Sequence, residues 1–214
     1  MALSILIMGE SGSGKTTSCR NLPPEQTFYF DCDQKGLSWK GWRKNFNSEN
    51  KNYLATSDGS EIASFLEVID TKPNIKYVVI DTLNGIMVDD EMRRMGEKGY
   101  DKWQDMAVSI YSIVARALTM RSDLTVIFLA HSQTDRDDFG NAFTRMKTSG
   151  RKLDKIVVES KFTNVLLAKR TAAGEYVFET HANNSTAKTP MGAFNTETVP
   201  NDIMAVIAAL EDFR

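Results

Sequence analysis

The glycine-rich segment at residues 9–16 has the residue types and the spacing that hold a phosphate chain. It matches G-x-x-x-x-G-K-[ST] at every specified position, between a predicted strand and a predicted helix. Glycines let successive backbone N–H groups turn inward around an anion, and the dipole of the following helix favours negative charge. Lys15 would reach the β- and γ-phosphates, and the Thr16 hydroxyl would bind Mg²⁺. A glycine-rich turn that only precedes a helix is the alternative. The segment predicts a nucleotide site built from Gly9, Glu10, Ser11, Gly12, Ser13, Gly14, Lys15, Thr16 and Thr17.

Acidic residues follow two apolar runs further along the chain. Asp81 closes the run 77–80, where a carboxylate would hold Mg²⁺ beside Thr16 through a bound water; capping of the next helix is the alternative. Asp33 follows the run 27–30 and would orient or deprotonate the water that attacks the γ-phosphate. Together these residues predict magnesium-dependent chemistry at the phosphates.

A histidine follows the third apolar run. His131 comes after residues 125–130, a position from which it would contact the γ-phosphate and report its loss to the next segment. A hydrogen-bonded histidine at a strand end is an equally good interpretation. The two cysteines, Cys19 and Cys32, have no metal-ligand spacing with the two histidines, so we expect reduced thiols.

The elements that would position these residues alternate between strand and helix. Short apolar runs predict buried parallel strands, whose carboxyl ends collect ligand chemistry at one edge of a sheet. The predicted elements are a strand at 4–8, a helix from about Lys15, strands at 27–30, 77–80 and 125–130, helices at 61–71 behind a Ser60 cap and at 101–120, a hairpin of 163–169 with 175–179, and a helix from about Asn201. The fold class is therefore α/β: a three-layer P-loop NTPase with a mainly parallel sheet and a C-terminal antiparallel hairpin, in one domain over residues 1–214.

The composition excludes several classes of protein. The chain has 214 residues, of which 42% are hydrophobic and 25% charged, so collagen-like and wholly disordered chains are ruled out. Its net charge of -2 leaves only a local patch for nucleic acid. We expect no membrane span, because the apolar runs have the length of strands, and the N-terminus has no secretory leader. A cytoplasmic protein is the expectation.

Taken together, these motifs resemble the RecA-like ATPase core, and most closely the compact phage RecA-like ATPases associated with single-strand annealing and recombination. The resemblance is carried by residues 9–16, Phe28–Asp33, Tyr77–Asp81 and Phe128–His131, and it covers nearly the whole chain. It implies ATP and Mg²⁺ as cofactors, single-stranded DNA as a partner, homo-oligomers with ATP between protomers, a phage single-strand-binding protein as a further partner, and the bacterial host cytoplasm as location. The chain starts at its first strand, which leaves out the family's linking extension, and Asp33 in place of the longer Glu implies slow hydrolysis.

In this family the strand that ends at the γ-phosphate contact, here residues 125–130 with His131, is followed by a segment that contacts DNA. Here that segment is 134–160, with Phe143 available for base stacking, and a solvated charged loop is the alternative. The same resemblance makes Lys188 a candidate cation for the nucleotide of an adjacent protomer, with an exposed turn lysine as the alternative. The DNA-binding candidates in the segment are Arg145, Lys147, Arg151, Lys152 and Lys155.

Two further functions remain open at this point. A nucleoside or nucleotide kinase would need an arginine lid, for which Arg93, Arg94 and Arg136 are the nearby candidates. A nucleotide-gated accessory module without significant turnover would use ATP only to order the segment 134–160. The tryptophans Trp39 and Trp42 would stack a base or a neighbouring subunit, or pack on the sheet edge.

Overall fold

A central sheet with helices on both faces makes up the computed structural model, which describes residues 1–97, 101–149 and 157–213. The strands are β1 Leu3–Gly9, β2 Thr27–Asp31, β3 Tyr53–Ala55, β4 Tyr77–Asp81, β5 Thr125–Arg136, β6 Ala142–Met146, β7 Asn164–Arg170, β8 Tyr176–Glu179 and β9 Thr198–Pro200. The helices are α1 Lys15–Ser18, α2 Trp42–Asn45, α3 Gly59–Asp70, α4 Leu83–Arg93, α5 Asp101–Thr119 and α6 Ile203–Phe213.

The sheet has the strand order β3-β2-β4-β5-β1-β7-β8-β9, and β6 pairs with the far end of β5. Strands β1 to β5 pair in parallel with one another and β1 pairs in parallel with β7, whereas β7, β8 and β9 are antiparallel. The predicted α/β class with a mainly parallel sheet and an antiparallel C-terminal hairpin is confirmed. Because β5 lies between β1 and β4, the carboxyl ends of these three strands are neighbours.

Two apolar layers enclose the sheet. All seven residues of β1 are buried, as expected for a parallel strand covered on both faces. Leu6 and Met8 face the layer of α3, α4 and α5, while Ile5 and Ile7 face the layer of α6 and the turn after α1. Adjacent residues of a strand point to opposite faces, so this alternation fixes the three-layer arrangement.

Three helix boundaries differ from those predicted. The helix after the glycine-rich segment has only four residues and continues as a 3-10 turn, Cys19–Asn21. The Ser60 cap is wrong: α3 begins earlier, and Asp58 Oδ1 accepts the N–H groups of Ser60 and Glu61 at 2.8 and 3.3 Å. A carboxylate at that position satisfies two orphan donors of the first turn. The last helix begins at residue 203 rather than about 201.

The segment 134–160 is not a continuous loop. β5 runs past the sheet to Arg136, turns at residues 137–141, and pairs with β6 in an antiparallel hairpin, with Thr134 opposite Thr144. Gly140 supplies the positive φ of +84° that this turn requires. The first half of the predicted loop is therefore a β-hairpin, and residues 150–156 lie outside the described residues.

Both cysteines of the sequence are buried as free thiols. In the described part of the chain, no helix combines the length and the apolar character that a bilayer crossing requires.

Candidate functional site

The segment 9–16, called the P-loop below, wraps around its own lysine. Lys15 Nζ donates hydrogen bonds to the carbonyl oxygens of Gly9 and Glu10, at 2.8 and 2.9 Å. Burial lowers the pKa of Lys15 to about 8, although the negative charge of Asp81 opposes this shift. Gly14 has a φ of +92°, and a Cβ on it would lie 2.9 Å from Tyr176 Cδ1. The loop therefore holds a cation that a phosphate chain can take over from the two carbonyls.

Asp81 lies at the carboxyl end of β4, directly beside this loop. Its Oδ2 accepts hydrogen bonds from Thr16 Oγ1 and from the Tyr29 hydroxyl, both at 2.7 Å. Burial raises the pKa of Asp81, and these two hydrogen bonds oppose the shift. The capping alternative does not hold for this side chain, because the residue that caps α4 is Thr82, whose oxygen accepts the Gly85 N–H. The predicted pair of Thr16 and Asp81 is thus in direct contact.

The same carboxylate has one oxygen without a partner. Asp81 Oδ1 is fully buried, and no described residue donates a hydrogen bond to it. A buried acceptor left unsatisfied costs about 1–3 kcal/mol, whereas a divalent cation or its water ligand would satisfy it. Carboxylate and hydroxyl oxygens are also the donors that Mg²⁺ prefers. Thr16 and Asp81 therefore fit Mg²⁺ in chemistry and in placement.

Asp33 follows β2 at the same edge of the sheet. Its carboxylate accepts a hydrogen bond from Thr82 Oγ1 at 2.9 Å and forms an ion pair with Lys35. Both of these partners line the cleft beside the P-loop. A Cβ at Gly85 would lie 2.5 Å from the carbonyl oxygen of Cys32 and 2.6 Å from Asp33 Oδ1. The glycine therefore lets α4 approach the end of β2 and fixes the position of the acid.

His131 pairs with Gly9 across β1 and β5, which places it next to the start of the P-loop. Its half-buried imidazole lines the same cleft. Burial lowers the pKa of His131, and the positive charge of Lys15 lowers it further. Its backbone N–H donates to Asn84 Oδ1 at 2.7 Å, and its carbonyl oxygen accepts the Lys147 N–H at 2.7 Å.

Asn84, at the start of α4, is a site residue that the sequence analysis missed. It is buried, and its Nδ2 donates to the Lys147 carbonyl oxygen at 2.9 Å while its Oδ1 binds His131. One amide thus connects α4 to both strands at the base of the β5–β6 hairpin. Its position three residues after Asp81 was the only sequence signal for it.

The P-loop opens into a cleft of about 870 Å³, which is large enough for a nucleotide. One wall of this cleft is formed by Tyr176 of β8 and by residues 200–202, which precede α6. Arg20 Nη1 donates to the Asn201 carbonyl oxygen at 2.9 Å, and Asn21 Nδ2 donates to Asp202 Oδ2 at 2.7 Å. The sequence analysis missed this wall, because it depends on contacts between residues about 180 positions apart.

The remaining candidates lie away from this cleft. Lys188 is exposed; its backbone pairs with Val165 of β7, and its side chain does not line the cleft. Arg145 forms an ion pair with Asp135 across the β5–β6 hairpin, and Lys147 is exposed at its base. The candidates Arg151, Lys152 and Lys155 lie outside the described residues.

The two tryptophans pack against the sheet. Trp39 contacts Tyr29 and Phe46 edge to face, with ring centroids 6.3 and 6.0 Å apart, and Trp42 lies 5.3 Å from Tyr53. Both join the apolar layer of α6 as half-buried side chains. These contacts agree with the packing interpretation.

Comparison with known proteins gives one further finding. A family model described as an AAA domain matches residues 1–191. The match takes in the P-loop, Asp33, Asp81 and His131, and it ends before the wall at residues 200–202. No curated protein matches the chain.

Proposed function

The chain belongs to this AAA domain family, which makes it a nucleotide-binding ATPase of the P-loop type, and on that premise we propose the finer function. The protein is a RecA-like ATPase that requires Mg²⁺, binds single-stranded DNA, and acts as a homo-oligomer in phage-type recombination or single-strand annealing. The observation that carries the proposal is the order β4-β5-β1, which aligns Asp81, His131 and the P-loop at one edge.

Binding and orientation come first in the proposed mechanism. The backbone N–H groups of the P-loop surround the β- and γ-phosphates, and Lys15 exchanges its two carbonyl partners for phosphate oxygens. Thr16 and Asp81 would hold Mg²⁺, which would supply positive charge beside the β- and γ-phosphate oxygens. The His131 ring lines the same cleft, where it would donate a hydrogen bond to the γ-phosphate.

Asp33 orients the attacking water in this mechanism. Its carboxylate is anchored by Thr82 and Lys35. It accepts a proton from the water as the water oxygen bonds to the γ-phosphorus and the bond from that phosphorus to the bridging oxygen breaks, which releases ADP and phosphate. The side chain of an aspartate reaches less far than that of a glutamate, so slow turnover is expected. His131 then transmits the loss of the γ-phosphate to the β5–β6 hairpin, because its backbone is hydrogen-bonded to Lys147 and Asn84.

DNA binding is proposed for the base of this hairpin. Lys147 is exposed next to the sensor histidine, so DNA bound there would be close to the nucleotide. The side chain of Lys188 is exposed and does not line the nucleotide cleft of the same protomer, so we propose that it contacts the nucleotide of an adjacent protomer. These two features support an oligomer in which nucleotide state and DNA contact are linked.

The kinase alternative receives less support. Arg93 pairs with Asp58 and Asp90, Arg94 pairs with Glu97 and Asp105, and Arg136 binds the Gly140 carbonyl oxygen. Arg20 is the arginine that lines the cleft in the described part of the chain, and it is bonded to Asn201. An arginine lid over the phosphates is therefore not formed by these candidates.

The test is the rate of phosphate release from ATP with Mg²⁺, measured with and without single-stranded DNA at low salt. We expect free phosphate without any acceptor and a higher rate with DNA. Free phosphate without stimulation or DNA retention would leave only the ATPase. Transfer that requires a small-molecule acceptor would establish the kinase instead, and DNA binding that depends on ATP without turnover would establish the accessory module.

A further inference from the structure

Tyr29 is buried in the core and contacts Asp81, the carboxylate of the proposed magnesium site. It lies on β2, next to β4, and its hydroxyl donates to Asp81 Oδ2 at 2.7 Å. The ring is fully buried, with edge contacts to Trp39 and Phe46 at 6.3 and 5.8 Å between centroids. These contacts hold the hydroxyl in one place, so its bond to the carboxylate is preorganised rather than formed when a ligand arrives.

The two oxygens of Asp81 have different surroundings. Oδ2 accepts from both Thr16 and Tyr29, whereas Oδ1 is buried without a donor among the described residues. The Thr16 hydroxyl would bind Mg²⁺ through an oxygen lone pair in the proposed function, while its O–H donates to Oδ2. Tyr29 is the donor to Oδ2 that does not also bind the ion, and a carboxylate held at one oxygen keeps the direction of the other.

We propose that Tyr29 is a positioning residue for magnesium: by holding Asp81 Oδ2, its hydroxyl directs Asp81 Oδ1 toward the ion that accompanies the nucleotide. This inference rests on the proposed function, because it assumes that the cleft binds a nucleotide with Mg²⁺. Carboxylates that bind metals are commonly held by a hydrogen bond from a second residue, and mutation of that residue typically lowers metal affinity about 10- to 100-fold.

The neighbouring strand provides a matched control. Tyr53 of β3 donates its hydroxyl to Asp31 Oδ2 at 2.6 Å, and Asp31 also accepts the Gly36 N–H at 2.7 Å. This is the same pair of residue types on the same sheet, but Asp31 contacts neither Thr16 nor the P-loop. Y53F therefore removes an equivalent hydrogen bond without touching the proposed metal site.

The experiment measures binding of a fluorescent, non-hydrolysable ATP analogue to the wild type, Y29F and Y53F. Each protein is titrated with nucleotide in EDTA and then with Mg²⁺ at fixed nucleotide. For Y29F we expect the Mg²⁺ concentration at half-effect to rise about tenfold or more, with affinity in EDTA unchanged within about twofold. Y53F should match the wild type in both titrations. In a D81N background, Y29F should add no further shift, because the carboxylate that it positions is gone.

Several outcomes would overturn the inference. These are a Y29F titration equal to that of the wild type, an equal loss of affinity in EDTA, or the same shift in Y53F. Melting curves of the three proteins set the titration temperature, so that a less stable Y29F is still measured in its folded state. A wild type that binds nucleotide without any effect of Mg²⁺ would instead contradict the proposed function.

Discussion

The Lys147 amide donates a 2.7 Å hydrogen bond to the carbonyl oxygen of His131, where β5 leaves the sheet and β6 returns to it. Asn84 bonds both residues from α4, so three hydrogen bonds tie the nucleotide edge to the hairpin. In the proposed ATPase these bonds connect His131, the candidate contact of the γ-phosphate, to the exposed Lys147. Each of its parts gives a separate experiment.

Asn84→Ala should weaken both the fold and the coupling. The substitution leaves the part-buried His131 N–H without its acceptor, which we expect to lower the free energy of unfolding by about 1–3 kcal/mol. Stimulation of phosphate release by DNA should fall more than the rate without DNA. Urea unfolding and the two rates are the measurements, with the exposed Asn74→Ala as control. Unchanged stimulation in a destabilised Asn84→Ala protein would remove Asn84 from the coupling route.

Nucleotide affinity should fall as the pH rises above about 8. Burial lowers the pKa of Lys15 to about 8 in the nucleotide-free loop, and a bound triphosphate raises it again, so binding above that pH requires proton uptake. The dissociation constant should then increase by up to tenfold for each pH unit. Calorimetry in two buffers of different ionisation enthalpy measures the uptake. A flat affinity between about pH 7 and about pH 9.5 would contradict the lowered pKa.

Asp33→Asn should separate turnover from binding. The amide keeps the size of the side chain but cannot accept a proton from water, so kcat should fall about 10²- to 10⁴-fold. Nucleotide affinity should be retained, since one negative charge near the phosphates is removed. Phosphate release and analogue binding are measured side by side, with Asp138→Asn at the exposed hairpin turn as the control. An unchanged kcat would assign water activation to another residue.

Tyr176 should contribute to binding of the base and not of the phosphates. Stacking of a base on an aromatic ring is worth about 1–3 kcal/mol, so Tyr176→Ala should lower nucleotide affinity about 5- to 150-fold, while Tyr176→Phe keeps the ring and most of the affinity. Binding of inorganic tripolyphosphate, which has no base, should be the same in all three proteins. An equal loss for tripolyphosphate would show that the substitution disturbs the loop through Gly14 instead.

Lys147→Ala should reduce DNA binding through one phosphate contact. The expected effect is weaker binding of single-stranded DNA at every sequence, with the slope of log affinity against log salt smaller by about 0.7. Lys72→Ala, an exposed lysine that follows α3 on another part of the surface, serves as control. Equal slopes for Lys147→Ala and the wild type would place the DNA elsewhere.

The sequence was sufficient for the parts of the site that depend on local patterns. The spacing of the P-loop and the polar residues after each apolar run predicted that Lys15, Thr16, Asp81 and His131 would meet, because parallel strands collect their carboxyl ends at one edge. Asp33 is held at that edge as well, although its anchors, Thr82 and Lys35, were not predicted. At these positions the local sequence pattern and the order of the strands lead to the same placement of the side chains.

The parts that could not be predicted depend on contacts distant in sequence. Tyr29 looks like any aromatic residue of a buried strand, and only the pairing of β2 with β4 brings its hydroxyl to Asp81. Asn201 meets Arg20 through the packing of α6 against the turn after α1. The sequence predicts a loop where the β5–β6 hairpin lies, because polar residues in its strands hide the alternation that identifies a strand.

The pleat of that hairpin sorts its side chains into two sets. Ser132, Thr134 and Thr144 border a trench that runs along the start of the P-loop, whereas Phe143 and Arg145 border a separate hollow with Asp135. Neighbouring residues in a strand point to opposite sides, so a single layer of β-sheet separates the two spaces. Two ligands bound on opposite faces of the hairpin would therefore make no contact with each other, but both would contact the same two strands.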